Sequence, residues 1–110
     1  MSENILPTAL WVEARLRKLE QDFVPHYYLQ KGNYASGLVM VKSDGLKGFC
    51  RLYTQQRNFM SGELEWIDAL DQEIIEYEKA DAYIQRAIKS DPDLWAIEIE
   101  DKEMKNPFID

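Results

Sequence analysis

Hydrophobic and polar positions recur with two different periods along this chain, and the sharpest change between them falls between Ala80 and Glu100. Tyr77, Ala80, Ile84, Ala87 and Ile88 follow one another at helical spacing and define a single apolar face. Arg86 and Lys89 fall in the last turn, where cations favour the negative end of the helix dipole. Asp91 precedes Pro92 and is pushed out of the helical region, so Asp91-Pro92-Asp93-Leu94 reads as a turn. After it the period becomes two. Trp95, Ile97 and Ile99 point one way, and Leu94, Ala96, Glu98 and Glu100 the other.

The same reading continues upstream. Pro7 suits the first turn of a helix. Ala9, Val12, Leu16, Leu19 and Phe23 form its apolar stripe, with Glu13, Arg17 and Glu20 on the far side and Pro25 ending it. Trp11 and Arg15 sit beside the stripe, four residues apart and within reach of each other. Residues 24–30 are rich in strand formers, and 31–37 read as a loop from their Gly and Asn content. Leu38-Val39-Met40-Val41 is a continuous apolar run, as in a central strand covered on both faces. Ser43-Asp44-Gly45 is a hairpin signal, and Phe49-Cys50-Arg51-Leu52-Tyr53 the returning strand. Residues 55–62 read as a polar turn and 64–67 as a further short strand. The second helix is expected to begin between Asp71 and Glu76, with Ile74-Ile75 open between strand end and helix start.

The predicted order is α-β-β-β-(β)-α-β. Consecutive strands joined by short turns pair antiparallel, and the last strand re-enters beside a non-sequential neighbour. The expectation is a single α+β domain over residues 1–100. It has two layers, an antiparallel-rich sheet of about four to five strands with both helices on one face. Residues 101–110 are expected to form a mobile polar tail.

Composition narrows the function classes. A chain of 110 residues with 45% hydrophobic and 12% aromatic content suits one packed domain. The net charge of −7 is unevenly placed, because the basic excess lies before Gly62 and the acidic excess after it. That acidic half argues against nucleic acid as a partner, since phosphate contact needs clustered Lys and Arg. The lone Cys50 excludes an internal disulfide and a Cys-rich zinc site. Met1-Ser2-Glu3-Asn4 opens no basic-then-apolar leader, and no apolar run reaches the ~20 residues of a bilayer span. The expectation is a cytoplasmic protein without a membrane partner.

Candidate chemistry is sparse. His26 is the single histidine, and nothing local couples it to Cys50 as a nucleophile–base pair. Asp91, Asp93 and Glu98 carry oxygens that suit Mg²⁺ or Ca²⁺, although turn formation and a solvated strand face are the stronger account of them. No Gly-rich phosphate loop is present, and no cofactor is expected. The leading reading is a non-enzymatic protein-interaction module that binds a protein partner or itself as a two-fold homodimer. Three tryptophans and six tyrosines are many for a small two-layer core, so some should reach the surface. The candidate residues are Trp11, Arg15, Tyr83, Asp91, Asp93 and Trp95. The dimer is expected on the sheet face that the helices leave bare, or on an adjoining edge. One alternative is a metal-dependent hydrolase using Asp91, Asp93 and Glu98. Another is small-molecule binding between helix and sheet near Trp11 and His26.

Two segments resemble a known family. Leu6-Pro7-Thr8-Ala9-Leu10-Trp11-Val12-Glu13-Ala14-Arg15-Leu16-Arg17 is similar to the opening of domain of unknown function 1491, a small, mainly alphaproteobacterial family. Ala82-Tyr83-Ile84 through Ser90-Asp91-Pro92-Asp93-Leu94-Trp95-Ala96-Ile97-Glu98-Ile99-Glu100 resembles its closing hallmark more closely. The chain departs from that pattern at Phe23-Val24-Pro25, where the family has small residues and no Pro. The resemblance implies a bacterial cytoplasmic protein of one domain, and no activity, cofactor or catalytic residue.

Overall fold

The computed structural model describes residues 6–109. Its elements are α1 (Thr8–Gln21), β1 (His26–Gln30), β2 (Val39–Asp44), β3 (Phe49–Arg57), β4 (Leu64–Asp68), β5 (Ile75–Glu76), α2 (Tyr77–Ser90) and β6 (Trp95–Glu100). The α+β class is as expected, with six strands in place of four or five. The extra strand is β5, which settles Ile74-Ile75: Ile75 is buried and pairs with Cys50 of β3, and α2 begins just after it.

The strands lie in the order β1-β6-β2-β3-β4, with β5 also on β3. The last strand therefore enters between the first two. It runs parallel to β2, from Val39 opposite Trp95 to Asp44 opposite Glu100, and antiparallel to β1. The expected pairing of consecutive strands holds for β2, β3 and β4 and fails for β1, which never meets β2.

The two-layer arrangement is also corrected, because the helices cover opposite faces. Ala9, Val12 and Leu16 of α1 pack with Val39, Val41, Tyr53, Trp95, Ile97 and Ile99. Ala80 and Ile84 of α2 pack with Met40, Cys50, Leu52, Leu94 and Ala96. The two sets alternate along β2 and β6, as the period of a strand requires. A strand apolar on both sides needs cover on both, and β2 has it. Among the described residues, the bare sheet face named as one of two places for the dimer is covered, which leaves the adjoining edge.

Two further corrections concern the ends of α1 and of the chain. Phe23 is not on the apolar stripe. It takes a left-handed φ of 61° just past the helix and stands 92% exposed, while Val24 N donates to Leu19 O. The helix ends in this reversal, a position that glycine usually fills. The expected mobile tail, over its described residues, lies against the α1 face. Phe108 is buried between Trp11 and Trp66, with its ring 5.3 Å and 5.8 Å from theirs. Tyr53 OH donates to Met104 O at 2.6 Å, and Ser43 Oγ donates to Lys105 O at 2.8 Å. The loop between β1 and β2 does similar work at the other end of α1. Thr8 N and Ala9 N, which have no partner inside the helix, donate to Ala35 O and Tyr34 O.

Candidate functional site

Lys42 is the one buried cation of the sheet among the described residues, and the sequence reading missed it. It follows the apolar run in β2 and points to the α2 side. Its ammonium donates to Asp81 Oδ1 at 2.8 Å, lies 3.9 Å from Glu98 Oε1 and sits 4.8 Å from the centre of the Tyr77 ring. Tyr77 OH donates in turn to Asp44 Oδ1. Burial pushes the Lys42 ammonium down. The Asp81 hydrogen bond and the charges of Glu98 and Asp81 outweigh it, so its pKa stands above the ordinary value. Glu98 is raised by burial, against the pull of Lys42. A lysine held charged in this way is unsuited to act as base or nucleophile near neutral pH, which needs a depressed pKa. Cys50 on the same side is fully buried, and desolvation pushes its thiol up to about 11. It is equally unsuited to nucleophilic work. The cluster ties α2 to the sheet.

The residues singled out from sequence are dispersed. Trp95 is buried, and its Nε1 donates to Asn33 O at 2.9 Å and Ser36 O at 3.3 Å. Asp91 shapes the predicted turn: its Oδ1 accepts from Asp93 N, and its backbone oxygen accepts from Leu94 N and from Gln30 Nε2. Asp93 offers its backbone carbonyl to Asn33 N at 3.1 Å. Tyr83 packs against the α2 cluster with Arg86 5.9 Å from its ring centre. Trp11 meets Phe108 edge-on, and Arg15 Nη1 donates to Pro107 O at 3.3 Å. Trp11 and Arg15 thus share one neighbourhood, and Asp91, Asp93 and Trp95 another. Glu98 belongs to the Lys42 cluster instead of joining Asp91 and Asp93. Among the described residues no three His, Cys, Asp or Glu side chains converge as metal ligands.

Two concavities flank α1. The larger, about 460 Å³, lies between the C-terminal half of α1 and the closing segment. Arg15, Lys18 and Lys105 are balanced there by Asp22, Glu100 and Asp101. The smaller, about 210 Å³, holds His26 and Tyr28 of β1 with Glu13, Arg17 and Glu20 of α1. Trp11 lines neither, so neither concavity joins Trp11 to His26. His26 Nδ1 lies 3.0 Å from Val24 O.

The surface carries more information. The β3–β4 hairpin ends in Phe59 and Met60, 93% and 83% exposed. This tip is held firmly. Asn58 Oδ1 accepts from Met60 N at 2.8 Å and Ser61 N at 3.1 Å, Gly62 N donates to Asn58 O, and Arg57 Nη1 donates to Gly62 O. Gly62 turns with φ 78°, which a side chain would resist. Residues 55–62 read as polar from sequence, and the two apolar residues inside that stretch were the overlooked signal.

No helix among the described residues is long and apolar enough to cross a membrane. A comparison with curated proteins gives no match. Two solved structures of a DUF1491 family protein from Caulobacter crescentus CB15 are similar over nearly the whole chain. The crystal structure is 32% identical, covers 96% of this chain and 95% of its own, and has a TM-score of 0.78. The NMR structure is 31% identical, covers 96% and 94%, and has a TM-score of 0.80. A solution structure from A. tumefaciens, 24% identical over 87% and 86% with a TM-score of 0.68, shares the fold. Residues 6–109 match the family model described as "Protein of unknown function (DUF1491)", and the chain belongs to that family.

Proposed function

We propose that this protein is a non-enzymatic interaction module of the bacterial cytoplasm, and that the β3–β4 hairpin tip is its contact with a protein partner. The observation that carries this reading is the pair Phe59 and Met60, projected into solvent by a turn whose backbone is hydrogen-bonded on both sides. Large apolar side chains held away from the core gain nothing for the fold, and two adjacent ones on a fixed turn form a contiguous apolar patch suited to contact. A contact already fixed in shape loses little entropy on binding, which favours affinity. Met adapts to irregular apolar surfaces, and an aromatic neighbour supplies area.

The test uses the double variant Phe59→Ser/Met60→Ser. Both side chains are exposed, so its melting temperature should match the parent. A photo-crosslinker placed at Ser61 should capture a defined partner from bacterial extract with the parent tip and lose it with the variant. Equal capture by both proteins would sink the reading.

A further inference from the structure

The two outer strands of the sheet differ in a way that points to one of them. β4 carries Glu65 and Asp68, and charges on an edge strand discourage pairing with another chain. β1 reads His26-Tyr27-Tyr28-Leu29-Gln30 and has no Asp, Glu, Lys or Arg. Among the described residues no strand pairs with its outer side. Its backbone orientation follows from its inner neighbour. Glu100 N donates to Pro25 O, and Tyr27 lies opposite Glu98, two residues further along the same ladder. Hydrogen-bonded pairs alternate in antiparallel strands, so Tyr27 turns its N–H and C=O toward β6. His26 and Tyr28 turn theirs outward. The register shift between Tyr28 and Gln30 confines the regular stretch to His26–Tyr28.

From this geometry we propose that β1 pairs with β1 of a second copy of this chain, antiparallel about a two-fold axis at Tyr27. This deepens the interaction reading by naming a second copy as a partner, and uses a surface other than the hairpin tip. His26 of each copy then faces Tyr28 of the other, and the four outward N–H groups find four outward carbonyls. Tyr27 lies opposite its own copy in a non-hydrogen-bonded pair, where side chains approach most closely. It is half exposed in the single chain, and its exposed face gains a matching aromatic neighbour. Its hydroxyl keeps its own anchor, donating to Glu100 Oε2 at 3.4 Å. The flank of α1 beside the strand, Glu13, Arg17 and Glu20, carries both signs and sets no single-sign barrier against its copy. The same segment could accept an extended peptide of another protein. The symmetry of the outward groups about Tyr27 favours self-pairing.

Sedimentation equilibrium of the purified chain tests the pairing without any other protein. The parent should approach twice its 12.9 kDa mass with rising concentration. Tyr27→Lys and Tyr27→Glu each place two like charges opposite one another, and each alone should remain monomeric. An equimolar mixture of the two should associate again, which a merely misfolded variant cannot do. A parent that stays monomeric to millimolar concentration overturns the proposal. So does a charged variant that still dimerises, or a mixture that fails to. Phe59→Ser/Met60→Ser should dimerise like the parent, so failure of the hairpin reading and failure of this one give separate results.

Discussion

The ammonium of Lys42 on β2 lies 2.8 Å from Asp81 Oδ1 on α2, with the lysine side chain 6% exposed and the aspartate 56%. One partner is desolvated and the other reaches it from the solvent side. Removing the outer partner strands a buried charge, with Glu98 at 3.9 Å as the nearest remaining carboxylate. Asp81→Ala should destabilise by about 1–2 kcal/mol, a charged hydrogen bond discounted for the exposure of Asp81. Lys42→Met keeps the stem and removes the charge, and should cost less than Asp81→Ala. Chemical denaturation of the two variants checks the order. The same groups set an alkaline limit. Lys42 is raised above 10.5 and Cys50 from 9.0 to about 11, so both hold their protons more tightly folded than unfolded. Their contribution is complete below the unfolded values and is lost as pH climbs through the folded ones. Stability should fall from pH 9 toward pH 11, and fall less steeply in Cys50→Ala; identical slopes would remove Cys50 from the account.

The closing segment should prove structural. Phe108→Ala empties the space between Trp11 and Trp66 and should cost about 3–5 kcal/mol. A Phe108→Ala protein that melts with the parent would restore the mobile tail expected from composition.

The loop before β2 is gripped at one atom. A Cβ on Gly32 would stand 2.1 Å from Asp93 O and 2.7 Å from Trp95 Cδ1, and on Gly37 it would stand 2.2 Å from the same oxygen. Neither neighbour is a free side-chain end. Gly32→Ala should therefore cost about 1–3 kcal/mol by overpacking. Trp95→Phe, which leaves Asn33 O and Ser36 O without the indole donor, should cost about 1–2 kcal/mol. Trp95→Ala should cost about 3–5 kcal/mol. Thermal melts of the three rank them, and an unshifted Trp95→Ala curve would place Trp95 outside the core.

What was legible in the sequence was local. The stripe from Tyr77 to Ile88, the Asp91–Leu94 turn and the alternation from Trp95 to Ile99 each depend on neighbours within a turn or a strand. Val39 and Met40 showed that β2 is covered on both sides. Their periodicity does not say which helix lies on which side, and that choice separated two layers from three. The insertion of β6 between β1 and β2 is set by a crossover, which no local period records. Nothing local to Lys42 marks it as buried, because its partner Asp81 is 39 residues away. Phe108 looked like part of a fraying end, because Trp11 and Trp66 lie far from it along the chain. Of the residues chosen for their chemistry, Asp91 shapes its own turn, and Asp93 offers its backbone oxygen to the loop at Gly32 and Asn33. Phe59 and Met60 were hidden in a stretch judged by its polar average.

The late insertion of β6 has a consequence during synthesis. While the chain leaves the ribosome, β1 and β2 emerge early and face a gap that only Trp95–Glu100 can fill. At ~5–20 residues per second the growing chain holds that gap open for several seconds. Throughout that interval the ladder sides of Val39, Met40 and Val41 are without their final neighbour, and the sheet closes only once β6 itself has been made.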